Sequence, residues 1–213
     1  MGRKTRVQGV RSARLQSKRL ATQKVADTPY LFGEIRQPNT DYLCIPSVVS
    51  EHRRFFTAQR LDPNVISSNR AFTVEDSDGL LFALVSSSMF IIWQKTIGGR
   101  LESRLRFSNT LTWNTFPVPQ LSEQRREKII EAGKNVLKAR ELHPERSLAE
   151  HYNPLAMAPE LVKAHEALDR EVDKAFGASR KLTTERQRQE LLFENYAKIT
   201  LQRSNVNVLT FMC

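Results

Sequence analysis

The distribution of helix signals along the chain constrains its fold more than any other feature. From Leu121 to about residue 200, apolar residues recur every three or four positions, as the buried side of an α-helix requires. Before Pro119, short apolar runs alternate with turn residues and carry mixed strand and helix signals. The sequence therefore predicts an α+β protein, with a mixed α/β domain over residues 29–118 and an all-helical domain over 119–203. Residues 204–213 form a tail to which the sequence assigns no role.

Basic charge is concentrated at the start of the chain. Residues 1–28 hold eight lysines and arginines against one aspartate, within a chain whose net charge is +10. Apolar spacing predicts one helix over residues 6–26, with Arg11, Arg14 and Lys18 along one face. Such a row of cations suits a polyanion, because each neutralised phosphate releases condensed counterions. These three residues are predicted phosphate contacts, although a solvated basic helix or a disordered leader would have the same composition.

Within residues 29–118 the pattern predicts several short elements. Tyr42–Pro46 is expected to be a strand that ends at its proline. Phe55 and Phe56 are placed in a second strand, and residues 71–74 in a third. A helix over residues 77–96 is expected to begin at an aspartate cap and to end at the glycine pair 98–99. Strand-like pieces are expected beyond it, including residues 111–113.

Residues 99–107 alternate polar and apolar side chains. If this segment is one extended strand, one face carries charged side chains and the other carries Leu101, Leu105 and Phe107. Guanidinium groups bind the O6 and N7 edge of guanine, and a carboxylate accepts from N4 of cytosine. The segment therefore suits base reading, although a surface ion-pair ladder would look the same. The charged face is predicted to consist of Arg100, Glu102, Arg104 and Arg106.

Two further polar segments match nucleic-acid chemistry. Asn69 and Arg70, beside a turn, are a second pair of side chains able to bond base edges. Arg53 and Arg54 have the polarity for phosphate contacts, as does Arg100, and a solvated turn would show the same residues.

No residue pattern for catalysis or cofactor binding is evident. An amino-methyltransferase needs a glycine-rich cofactor turn and an Asn-Pro-Pro-aromatic loop, and the nearest string, NPLA at 153–156, lacks the second proline and the aromatic residue. The histidines and the two cysteines lack zinc spacing. The longest apolar run, residues 80–93, is shorter than a membrane span. We therefore expect a cytoplasmic chain with free thiols, no catalytic residue, no metal and no bound cofactor.

Several segments resemble MmeI-like restriction–modification DNA methyltransferases of the type IIG/IIL class. GRLES at 99–103, RFSN at 106–109, WNTFPVP at 113–119 and IPSVVSEHRR at 45–54 are similar to the target recognition domain of that family. SLAEHY at 147–152 and LVKAH at 161–165 are similar to its helical C-terminal domain. The resemblance extends from about residue 7 to about residue 200. It departs from the family where Leu105-Arg106-Phe107 replaces an aromatic-arginine-tyrosine triplet.

The resemblance implies that an upstream endonuclease and methyltransferase part performs the chemistry, with S-adenosylmethionine, on adenine. This chain would select the site on double-stranded DNA, with that catalytic part as its partner. Base-reading positions of the family correspond to Asn69, Arg70, Glu102, Arg104 and Arg106. A non-enzymatic helical interaction module, or a remnant of a truncated methyltransferase gene, is the alternative.

Overall fold

The computed structural model describes residues 2–33 and 38–210, with side chains described as far as residue 201. These residues form two compact units, Met1–Gln37 and Pro38–Cys213, each considered by itself below. The second unit combines small antiparallel sheets with a set of helices, so the predicted α+β class is confirmed. No helix in the described part of the chain has the length and apolar character needed to cross a membrane.

The first unit contains two helices, α1 at Arg3–Leu15 and α2 at Leu20–Gln23, so the prediction of one helix over 6–26 is wrong. The interruption has a local cause. Ser17 Oγ accepts from the Arg19 amide at 3.2 Å, and the Ser17 carbonyl accepts from Gln23 Nε2 at 2.8 Å. Such bonds offer the backbone an alternative to helical pairing. No residue of either helix is buried within the described structure.

Two three-stranded antiparallel sheets begin the second unit. The first has the order β3-β1-β4, formed by Gln59–Leu61, Tyr42–Pro46 and Ala71–Glu75. The second has the order β2-β6-β5, formed by Val48–Val49, Arg104–Arg106 and Gly99–Leu101. The expected strands at 42–46 and 71–74 are confirmed.

Phe55 and Phe56 lie in a loop, so the strand predicted for them is wrong. Both rings are nonetheless buried. Phe55 stacks on His165 with ring centroids 3.9 Å apart, and Phe56 meets Phe90 edge-on at 5.3 Å. Aromatic packing against distant elements, and not strand pairing, therefore fixes this segment.

The single helix predicted over 77–96 is two helices, α3 at Leu80–Val85 and α4 at Ser88–Ile97. Ser87 separates them, because its hydroxyl donates to the Leu84 carbonyl at 2.6 Å and accepts from the Phe90 amide at 3.5 Å. The strand expected at 111–113 is instead a short π-helix, Asn109–Trp113. Ser108 Oγ caps it by accepting from the Leu111 amide at 3.1 Å.

The C-terminal helices are α5 at Glu123–Glu141, α6 at Leu148–His151, α7 at Pro159–Ala175 and α8 at Glu185–Thr210. All four lie within residues 119–203 or extend from them, where the sequence predicts helices. Ser122 and Ser147 cap α5 and α6, and Gly177, with φ of 104°, follows α7. The tail from residue 204 continues α8 to Thr210, and residues 211–213 lie outside the described residues.

A buried polar network joins the helical part to the mixed part. Arg140 donates to the Tyr152 hydroxyl from Nε at 3.0 Å and Nη2 at 2.5 Å, and to the Ala58 carbonyl from Nη1 at 3.1 Å. Tyr152 Oη lies 2.7 Å from His165 Nε2, and His165 Nδ1 lies 3.1 Å from the Ser86 carbonyl. Burial lowers the pKa of His165 to about 3. The neutral ring therefore donates from Nδ1 and accepts from Tyr152 at Nε2.

Charged residues make a second connection between the parts. Asp169 accepts from the Ser88 amide at 2.7 Å and from its hydroxyl at 2.5 Å. Arg188 donates to both carboxylate oxygens of Asp173, at 2.9 and 2.7 Å, and lies 3.9 Å from Asp169. Helices α4, α7 and α8 are thereby joined through two buried carboxylates and the largely buried Arg188 side chain.

Candidate functional site

Residues 99–107 form a hairpin, not one strand, because the chain reverses at Glu102 and Ser103. Glu102 adopts φ of 58° at this turn. Side chains directly opposite each other in an antiparallel pair share a face, and Arg100 pairs with Leu105. Arg104 and Arg106 therefore share one face and Arg100 lies on the other. The prediction that all four charged residues line one face is wrong for this reason.

The exposed side of the hairpin presents three of the predicted base readers. Arg104 Nη2 lies 2.7 Å from Glu102 Oε2, in an exposed ion pair that leaves guanidinium donors available. The guanidinium of Arg106 is exposed and has no hydrogen bond or ion pair within the described residues. These two arginines therefore point usable donors to solvent from the same face.

Ser47 brings the segment containing Asn69 and Arg70 to the hairpin. Its amide donates to the Arg70 carbonyl at 3.0 Å, and its carbonyl accepts from the Phe107 amide at 3.0 Å. Asn69 and Arg70 are both exposed. Both predicted base-reading segments thus meet where the two sheets adjoin.

Three predicted phosphate contacts already have intramolecular contacts. Arg53 is half-buried and donates to the Ala149 carbonyl at 2.9 Å, and burial lowers its pKa. Arg54 is exposed, with its guanidinium 5.5 Å from the centre of the Phe55 ring. Arg100 donates to the Ser103 carbonyl at 2.9 Å. Of these three arginines, only Arg53 lines the groove of about 420 Å³ to which the predicted base-reading residue Arg70 also contributes.

The three predicted phosphate contacts of the first unit differ in availability. Arg14 donates to the carbonyls of three loop residues at 2.6–2.8 Å, so it holds the loop against α1. Arg11 pairs with Asp27 at 3.0 Å. Lys18 is exposed and has no partner among residues 2–33. Of the three, Lys18 has the most accessible charge.

Gln94 and Gly98 position the hairpin and were missed by the sequence reasoning. Gln94 is fully buried, and its Nε2 donates to the Arg106 carbonyl at 3.0 Å. A Cβ atom at Gly98 would overlap both the side-chain amide and the carbonyl of Gln94. The available signal was a glutamine at the end of an apolar run, and Gly98 was interpreted only as a helix terminator.

Gly98→Ala is expected to displace Gln94 from Arg106 and to lower the free energy of unfolding by about 1 to 3 kcal/mol. Gly99→Ala is the matched control, because a Cβ atom there would have no atom within 4 Å. Urea unfolding of both variants measures the difference. Equal losses in the two variants would show that space around Gln94 does not matter.

The acidic residues near α3 cap that helix. Asp76 accepts from the amides of Leu81 and Phe82 at 3.0 and 3.1 Å, as the sequence predicts. Within residues 2–33 and 38–210, no group of three histidine, cysteine or acidic residues is placed to hold a metal ion.

The chain is similar to DNA methyltransferases and restriction–modification enzymes. The profile of the MmeI target recognition domain matches residues 3–120, and that of the MmeI C-terminal domain matches residues 121–202. DNA methyltransferase A of Bacillus subtilis (strain 168) is 35% identical over 179 residues, which are 84% of this chain and 20% of that protein.

A solved structure of the type IIL restriction–modification enzyme MmeI in complex with DNA is 44% identical, with a TM-score of 0.79. The match covers 92% of this chain and 26% of the MmeI chain, so the chain spans about a quarter of that enzyme. The two profiles together span residues 3–202 in order, and the fold agrees over nearly the whole chain. The chain belongs to the MmeI family, of which it contains the target recognition domain and the C-terminal domain.

Proposed function

We propose that this chain recognises a specific sequence in duplex DNA for a methyltransferase of a restriction–modification system. The observation that carries the proposal is the arrangement around Ser47, where two segments of exposed base-competent side chains meet in a target recognition domain. A related enzyme of known structure is in complex with DNA. The fold supports such a role, because Gln94 and Ser47 fix the backbone that carries the exposed donors.

The base-reading group consists of Asn69, Arg70, Glu102, Arg104 and Arg106. Guanidinium groups and the asparagine amide suit purine edges in the major groove, and the Glu102 carboxylate suits cytosine N4. Phosphate contacts are assigned to Lys18, Arg11, Arg53, Arg54 and Arg100, which position the duplex without reading it. Arg14 would contact phosphate only if its loop opened, because its guanidinium already donates to three backbone carbonyls.

The catalytic partner is proposed to be a methyltransferase part, with or without an endonuclease, that binds S-adenosylmethionine and modifies adenine. The chain spans 20% of its methyltransferase relative, so the chemistry is assigned to the remainder of such a protein. This chain is expected to bind no cofactor itself.

The test is a titration of the purified chain against random duplex DNA at two salt concentrations, with S-adenosylmethionine binding measured in parallel. Salt-sensitive binding that enriches a short motif, without cofactor binding, supports the proposal, because phosphate contacts make affinity fall with salt. Binding that enriches no motif at either salt concentration contradicts it.

Arg106→Ala is expected to raise the Kd for the enriched motif about 10- to 100-fold and to relax the preference at one base pair. Lys18→Ala is expected to weaken binding to all sequences alike. It should also reduce the slope of the logarithm of the binding constant against the logarithm of salt concentration by about one. Competition binding with single-base variants of the motif separates the two effects. Uniform losses in both variants would contradict the division into base readers and phosphate contacts.

A further inference from the structure

A cavity of about 320 Å³ opens at the base of the hairpin, beside the candidate base reader Arg106. It lies where the two sheets adjoin, because Ser47 is part of its wall. Its lining combines aromatic, aliphatic and amide side chains with one guanidinium. The residues that form it are Ser47, Phe72, Gly99, Arg106, Phe107, Ser108, Asn109 and Leu111.

Two large apolar side chains in this lining are exposed. Phe72 is 37% exposed and Leu111 is 46% exposed. Neighbouring contacts hold both in place: the Phe72 ring meets Phe107 edge-on at 5.0 Å, and Leu111 lies in the π-helix capped by Ser108. The cavity therefore offers a preformed apolar wall next to solvent.

Two polar side chains of the cavity, Asn109 and Arg106, offer hydrogen-bond donors. Asn109 is exposed, and its Oδ1 accepts from the Thr110 amide at 2.9 Å. That bond orients the side chain and leaves its Nδ2 able to donate. The guanidinium of Arg106 adds further donors. A ligand that fits this cavity has an apolar group beside a hydrogen-bond acceptor.

We propose that the cavity receives the methyl edge of a thymine next to the base pair that Arg106 reads. In the major groove thymine presents its 5-methyl group beside the O4 acceptor, which matches the apolar wall and the Asn109 donor. A phosphate or sugar would leave Phe72 and Leu111 facing a polar group. This inference rests on the proposed function and adds Phe72, Asn109 and Leu111 to the residues that determine specificity.

The experiment replaces each thymine of the enriched motif by uracil, one at a time, and measures the Kd of the full chain. Uracil lacks only the methyl group. At one position, the replacement is expected to raise the Kd about fourfold, the contribution of one buried carbon. Leu111→Ala and Phe72→Ala are expected to bring the thymine-to-uracil ratio at that position close to one. Leu101→Ala is the control, because this leucine is 42% exposed on the same hairpin but does not line the cavity.

Three outcomes overturn the inference: an enriched motif without any thymine, equal affinity for thymine and uracil at every position, or a ratio that persists in both Leu111→Ala and Phe72→Ala. Thermal unfolding of these variants excludes loss of fold as the cause. Failure to enrich any motif contradicts the proposed function itself. Enrichment without sensitivity to uracil contradicts only the thymine cavity.

Discussion

Tyr152→Phe is expected to lower the free energy of unfolding by about 3 kcal/mol, because the lost hydroxyl serves a buried charge. Tyr152 is 1% exposed and accepts two hydrogen bonds from Arg140, whose side chain has its only other bond at the Ala58 carbonyl within the described structure. Removal of the hydroxyl leaves two guanidinium donors of Arg140 without an acceptor. It also leaves His165 Nε2 without its donor. Urea unfolding at neutral pH measures the loss.

Two further variants identify the cause of this loss. Tyr196→Phe is the matched control, because Tyr196 is 40% exposed, and little change is expected there. Arg140→Met in the Tyr152→Phe background is expected to recover stability relative to Tyr152→Phe alone, since it removes the buried guanidinium that has lost its acceptor. A double variant no more stable than the single one would show that the unpaired Arg140 guanidinium does not cause the loss of stability in Tyr152→Phe.

Local signals explain why the helical part was predictable. Ser122, Ser147, Pro159 and Gly177 each act within a few residues of a helix end, so the sequence contains the necessary information. The hairpin turn lacks such a signal. Its left-handed residue is Glu102, where a glycine or asparagine would be expected, so the segment was interpreted as one extended strand.

Residue types of the candidate site were predictable, but their availability was not. Arg106 and Arg14 have the same chemistry, yet Arg14 bonds three carbonyls whereas the Arg106 side chain has no partner among the described residues. The Arg53 partner, Ala149, is 96 residues away along the chain. Gln94 likewise donates to the Arg106 carbonyl, which is 12 residues further along the chain. Such contacts depend on tertiary packing, which periodicity does not encode.

Arg188→Met is expected to lower the free energy of unfolding at pH 7 by about 3 to 5 kcal/mol, the effect of removing one partner from a buried ion pair. Asp169 and Asp173 are 7% and 5% exposed. Burial raises the pKa of Asp169 to about 6, against the Ser88 hydrogen bonds and the nearby Arg188 charge, and burial also raises the pKa of Asp173. Without Arg188 both carboxylates lose their cation, so both pKa values are expected to rise further.

The pH dependence of this loss follows from those directions. A carboxyl group whose pKa is higher in the folded state than in the unfolded state binds more protons when the chain is folded. The amount by which it lowers the free energy of unfolding therefore diminishes as pH falls towards the pKa of the unfolded state. The stability deficit of Arg188→Met relative to the native chain is therefore expected to shrink between pH 7 and pH 5. Arg186→Met is the control on the same helix, because its exposed pair with Glu190 should add little at either pH. Urea unfolding at both pH values decides, and a deficit that stays constant or grows at pH 5 would mean that the buried carboxylates do not carry the effect.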